Sequence, residues 1–165
     1  MKPTADVKEL LTSLRSKDGF KRELAREELV RIGKPAVTPI LELMKSKNQQ
    51  LRWEACKALG SLEEPGASPA LVEALRDDSA EIRWLAAEGL ISLGTKAIVP
   101  ILQALQTQFD SILIREGAHH ILHALERKRK LDPKTQAVLN SMRSLSPELP
   151  IALAAHKALK SLRAG

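Results

Sequence analysis

Four arginines set the period of this chain. Arg22, Arg52, Arg83 and Arg115 stand 30, 31 and 32 residues apart. Three positions after each comes Ala25, Ala55, Ala86 or Ala118, and seven after comes Leu29, Leu59, Leu90 or Leu122. Ile32, Leu62, Leu93 and Leu125 follow at ten, while Asp18, Asn48, Ser79 and Ser111 precede each anchor by four. Pro39, Pro69 and Pro100 lie seventeen positions after the first three anchors. Columns kept at fixed offsets across units mean a tandem repeat, in which each unit is one supersecondary element leaning on its neighbours.

Each column has a physical reason. The apolar positions fall within one stripe of a helix turning about 100° per residue, so the stripe must be buried against a second helix. Alanine three positions after the anchor removes bulk where the two backbones are expected to come closest. The side-chain oxygen four positions before can accept a backbone N–H in the first turn. The second helix is expected to begin just before each proline, where the missing N–H has no intrahelical partner. Gly33 and Gly94 can take the positive φ that ends the first helix. The spacing predicts a leading helix over 4–15, repeats over 16–46, 47–76, 77–107 and 108–145, and a terminal capping helix over 146–165. That last helix follows the breaker Ser146-Pro147-Glu148-Leu149-Pro150 and carries Ala155, Leu159 and Leu162 at the repeat spacing. The expectation is a single all-α domain of about five helix pairs, with no strand.

Composition agrees. Phe20, Phe109, Trp53 and Trp84 are the aromatic residues, with no tyrosine. A core of Leu, Ile, Val and Ala favours helix-on-helix packing. Cys56 stands alone, which excludes an internal disulfide and suits a reducing compartment. No apolar run reaches the roughly 18 residues of a membrane span, and the opening Met1-Lys2-Pro3-Thr4-Ala5-Asp6 lacks a signal-peptide core. A cytoplasmic protein without membrane contact is expected. Net charge is +6, and residues 1–125 are balanced with 17 basic and 17 acidic side chains. The whole excess therefore lies in the last 40 residues, where it would steer acidic partners.

The stretch Asp77-Asp78-Ser79-Ala80-Glu81-Ile82-Arg83-Trp84-Leu85-Ala86-Ala87-Glu88-Gly89-Leu90-Ile91-Ser92-Leu93-Gly94 resembles a HEAT repeat. It is most similar to the short HEAT-like form, roughly 30 residues long, also found in phycobilisome lyase subunits. The resemblance spans residues 16–126 strongly and 147–163 more faintly. It implies a right-handed α-α superhelix with second helices lining the concave side, usually a protein-binding scaffold. Chromophore-lyase activity comes with the resemblance too, but no residue here selects it.

Several residues are candidates for function. Arg22, Arg52, Arg83 and Arg115 could form a basic ladder for phosphate, but their periodicity points to inter-repeat hydrogen bonds near the loops. Trp53 and Trp84 both follow an anchor directly and are expected on neighbouring first helices as one convex apolar patch, either anchoring a partner or adding packing along the seam. His119 and His123, at i,i+4, and His156 at the matching position of the next unit are candidate metal ligands with no evident fourth donor. Arg127, Lys128, Arg129 and Lys130 end a helix, where cations complement the dipole or can meet phosphate. Glu63 and Glu64 are adjacent and do not face each other as an acid–base dyad would. Cys56 is expected to be buried and inert.

No phosphate-binding glycine loop, Gly-x-Ser-x-Gly or dinucleotide fingerprint is present. The helices expected to line the groove carry Glu42, Lys45, Glu73, Arg76, Gln103 and Gln106, a thin and mixed set for catalysis. These observations point to a non-catalytic, monomeric scaffold without cofactor that binds another protein. The alternative is a nucleic-acid binder using the basic C-terminal end.

Overall fold

The computed structural model describes residues 6–143 and 148–163. These form α1 (Val7–Ser13), α2 (Gly19–Ile32), α3 (Lys34–Leu43), α4 (Gln49–Leu62), α5 (Ser68–Ala74), α6 (Ala80–Leu93), α7 (Ile98–Thr107), α8 (Ile112–Arg127), α9 (Pro133–Ser141) and α10 (Glu148–Leu162). Short 3-10 turns, Pro65–Ala67 and Gly94–Ala97, lead into α5 and α7, and no strand occurs among the described residues. Residues 4 and 5 of the expected leading helix, and the Ser146-Pro147 part of the breaker, lie outside the described residues.

The first helices start where the polar column predicts. Asp18 accepts the Phe20 N–H at 2.9 Å, Asn48 that of Leu51 at 3.3 Å and Ser111 that of Ile114 at 3.4 Å. Ser79 differs. Its hydroxyl oxygen accepts from Gln49 Nε2 of the preceding unit at 3.2 Å, so it ties two units together instead of capping α6. Gly33 alone joins α2 to α3, at φ 78°. That backbone conformation costs glycine little and strains any side chain with a Cβ.

The proline column is displaced from expectation in the first unit. Pro35 begins α3 and Pro39 lies inside it, whereas Pro69 and Pro100 sit in the first turns of α5 and α7. Gly33 lets α3 start at once, while the 3-10 turns delay its counterparts. The prolines keep their register and the helix start moves.

Two layers result. The helices α2, α4, α6 and α8 pack in succession, each against the next. In the second layer α1 meets α3, α3 meets the turn heading α5, α5 meets α7, and α7 meets α10. This is an all-α superhelical stack. Leu29, Leu59, Leu90 and Leu122 are all 0% exposed, so the leucine column is the spine of the core. Each fully buried leucine contributes about 1.5–3 kcal/mol.

Backbones of successive first helices come close at a pair of glycines. A Cβ built on Gly89 of α6 would lie 2.9 Å from the Cα of Gly60 in α4. These two glycines let successive first helices touch, across units and not within one.

The end of the stack also departs from the sequence pattern. Buried positions of α10 are Ile151, Ala155, Ala158 and Leu159, while Leu162 is 41% exposed. The helix lies beside α7 as a second-layer member, and α9 packs on α8 and α10. With nine residues and only Thr135, Val138 and Leu139 buried, α9 has less apolar surface to cover α7.

Within Ala80–Thr107 an 18-residue window has a mean hydropathy of 1.5, apolar enough, by length and composition, to cross a membrane. No such run was expected. It is apolar because α6 and α7 have neighbours on both sides, and 61% of the window is buried in the stack. Gly94, at φ 63°, divides it into two helices.

Candidate functional site

The anchor arginines share one hydrogen bond. Each donates Nη1 to the carbonyl six residues before it: Arg22 to Ser16 at 2.9 Å, Arg52 to Ser46 at 3.0 Å, Arg83 to Asp77 at 2.8 Å and Arg115 to Phe109 at 2.7 Å. The guanidinium thus closes the loop that enters its own helix. Two anchors also reach the next unit. Arg22 Nε donates to Glu54 at 2.8 Å, and Arg52 grips both oxygens of Asp77 at 2.7 and 3.0 Å. These contacts commit Nη1 of every anchor to its own loop, and for Arg52 they engage all three guanidinium nitrogens.

Hydrogen bonds from Arg52 hold the Asp77 carboxyl below the usual carboxylate range. A carboxylate whose pKa is depressed by folding stabilises the protein above its unfolded value of about 3.9, and the contribution is lost as pH falls through the folded value. Asp77→Asn is therefore expected to cost about 1–2 kcal/mol at neutral pH. The gap in melting temperature between wild type and variant should narrow as pH is lowered below the unfolded carboxylate value of about 3.9. A gap that stays constant across that range would mean the charge is not what matters.

Glu54 is 2% exposed and lies between Arg22 and Arg26 of α2. Gln50 Nε2 donates to it at 3.0 Å. Beside this cluster, Trp53 is half-buried, with the Arg26 guanidinium and the Lys57 ammonium each 5.5 Å from its ring centroid. The arrangement borders an open hollow of about 800 Å³ between α2 and α4, which also takes in Glu23 and Glu81.

Trp84 behaves differently and is 59% exposed. The two tryptophans do not form a single apolar patch; they border separate hollows that share Lys57. The cause is the neighbour at the next unit's seam. Arg26 covers Trp53, but the equivalent position one unit on is Cys56, which turns into the core and approaches the Ile82 carbonyl at 3.7 Å. One turn along its own helix, Trp53 meets Lys57, whereas Trp84 has Glu88, which pairs with His120 at 3.4 Å. A cation is attracted to a ring face and a carboxylate is not.

The histidines are split. His119 and His123 stack with ring centroids 6.1 Å apart. Burial, with the neighbouring His123, lowers the His119 pKa. His156 instead sits with Nδ1 2.9 Å from Gln106 Nε2 of α7. Among the described residues, no three His, Cys, Asp or Glu side chains gather as metal ligands. Burial, followed by the charge of Asp77, pushes the Cys56 thiol up to about 12, so the sulfur is held as an unreactive thiol.

The tract Arg127, Lys128, Arg129 and Lys130 is exposed throughout. Arg129 takes φ 53°, and the N–H groups of Arg129 and Lys130 return to the carbonyls of Glu126 and Leu125 at 2.8 and 3.0 Å. That pattern seals the end of α8, and Lys130 folds back over Gly94, where an added Cβ would meet its Nζ at 3.4 Å. Glu63 likewise ends α4 in the left-handed region, so Glu63 and Glu64 belong to a turn. Lys45 pairs with Glu42 at 2.9 Å, and Gln108 links Arg76 to Glu73 at 3.0 and 2.9 Å.

The family model described as HEAT repeats matches residues 7–91, more than half of the chain. The chain belongs to the HEAT-repeat family. Among solved structures, a chain from the complex of CpcE and CpcF of phycocyanin lyase, from a Nostoc species, is similar with 21% identity and a TM-score of 0.60. That match covers 90% of this chain and 96% of the other, and at such identity it speaks for the fold alone. An engineered protein matches with 17% identity and a TM-score of 0.49, over 97% of this chain and 80% of its own. No curated protein matches the sequence.

Within this HEAT-repeat stack the sequence reading missed Glu54 and Asp77. A signal for Glu54 existed: two positions after the anchor the units carry Leu24, Glu54, Leu85 and Gly117, so one charge interrupts an uncharged column. Asp77 left no such mark, because it lies in a loop whose partner is an anchor of the unit before.

Proposed function

We propose that this HEAT-repeat chain is a non-catalytic scaffold or adaptor that acts as a monomer and binds another protein. The observation that carries the reading is Trp84, a ring left 59% exposed on a first helix while its repeat counterpart is covered. An exposed aromatic on a rigid helix is suited to anchor a partner, since it offers large area at little entropic cost. Polar side chains expected along the groove are engaged with one another, as Glu42 with Lys45 and Glu73 with Gln108. The complex of CpcE and CpcF belongs to phycocyanin lyase, and a role in holding a protein substrate fits the same reading.

Affinity purification from native lysate, with and without nuclease, tests it. Trp84→Ala is expected to weaken capture of a specific protein at least tenfold while leaving helicity and melting temperature unchanged. Undiminished capture by this variant would remove Trp84 from the interface. Trp53→Ala is a poorer probe, because the ring is part of the Arg26–Glu54 packing.

A second reading, nucleic-acid binding, is favoured by one observation: Arg127, Lys128, Arg129 and Lys130 are all exposed at the basic end. It requires capture that nuclease abolishes, with log affinity falling against log salt by about 0.9 per phosphate neutralised on duplex DNA.

A further inference from the structure

Helix α10 carries two stripes. One, with Ile151, Ala155 and Leu159, is buried in the stack. The other, with Leu153, Ala154 and Lys157, faces a hollow of about 760 Å³ shared with α9. Leu153 is 53% exposed there, a large apolar side chain at the middle of a groove rather than at a chain end. Pro133 and Ala137 of α9 continue the apolar floor.

The rim is basic. Lys134 rises from α9, Lys157 and Lys160 from α10, and among the described residues no acidic side chain lines the hollow. All three lysines are exposed and none has an ion-pair partner among the described residues. Other hollows differ in this respect. The one beside Trp53 balances its cations with Glu23, Glu54 and Glu81, and the one between α3 and α5 includes Glu42, Glu73 and Asp77. Unopposed cations over an apolar floor ask for a ligand with carboxylates flanking an apolar face.

We propose that the α9–α10 groove binds an acidic amphipathic helix from a partner protein. The proposal rests on the scaffold reading above and names a surface and partner chemistry for it. A helix in such a groove buries residues at i, i+3, i+4 and i+7, and its flanking positions hold carboxylates at the spacing of Lys157 and Lys160. A nucleic acid fits less well. Its phosphates could meet the lysines, but the floor would stay uncovered, and the groove lining holds no aromatic ring on which a base could stack.

The test uses the full chain and fluorescence anisotropy with a labelled peptide of about 18 residues, leucine on one helical face and glutamate elsewhere. A twin with lysine for glutamate and a duplex DNA of similar length serve as competing probes. The acidic peptide is expected to bind, and the lysine twin not. Leu153→Asp should weaken binding at least tenfold, and so should Lys157→Glu with Lys160→Glu, each with unchanged helicity. Absence of binding, equal binding by either variant, or tighter DNA binding lost with the lysine variant would each overturn the proposal. A lysate partner that still attaches to Leu153→Asp would leave the scaffold reading standing without this groove. Failure of any protein to co-purify with the wild-type chain would instead remove the scaffold reading.

Discussion

Gly89→Ala is expected to destabilise the protein by about 1–3 kcal/mol, although helix propensity alone argues for a gain of about 1 kcal/mol. The new Cβ would lie 2.9 Å from the Cα of Gly60 and 3.3 Å from Leu71 Cδ1. Carbon atoms pack at about 3.5–4.0 Å, so α4 and α6 must separate. Leu71 can rotate; a backbone cannot. In a chain of this size the loss corresponds to a fall in melting temperature of about 2–4 °C per kcal/mol. Gly66→Ala is the control, because a Cβ there meets nothing within 4 Å and the change should be neutral or slightly stabilising. If thermal melts show Gly89→Ala as stable as Gly66→Ala, the two helices do not touch at this crossing.

That contact shows why some of the fold could be read from the sequence and some could not. Columns that repeat because packing repeats were visible: the leucine column, the alanine column and most of the N-caps sit where the period puts them. Gly60 and Gly89 fall at different offsets from their anchors, eight and six positions, so no column exposes them. Their pairing exists only in three dimensions, where a helix crossing brings unlike offsets together.

The tryptophans mark a second limit. A shared column placed Trp53 and Trp84 alike, yet one is half-buried and the other exposed. What separates them is the residue four positions after the preceding unit's anchor: Arg26 reaches over the Trp53 ring, whereas Cys56 turns into the core, and the repeat pattern does not fix that position. The terminal helices show the same thing at larger scale. Periodicity predicted a unit after Arg115, but which later helix would lie on α7 depended on which had the broader apolar stripe. That helix is α10, and its second stripe, beside Leu153, is the surface left for a partner.

Glu54→Ala is expected to cost about 2–4 kcal/mol, because it strands two guanidinium groups rather than because it removes one contact. Arg22 and Arg26 are 19% and 12% exposed and converge on this carboxylate from α2. Arg22 would keep its carbonyl partners at Ser16 and Lys17, but Arg26 would retain only Trp53 and a 3.9 Å approach to Glu23. Like charges would then sit one turn apart on α2, at its seam with α4, with little water to screen them. Glu54→Leu with Arg22→Met and Arg26→Met distinguishes stranded charge from lost packing. An apolar set of similar volume is expected to recover most of the stability, since a buried ion cluster repays only part of its desolvation. Denaturant melts of the single and triple variants decide the matter. Should the triple variant prove no more stable than Glu54→Ala, the carboxylate would have been holding the seam by its own hydrogen bonds, and the charge argument for this unit boundary would fall.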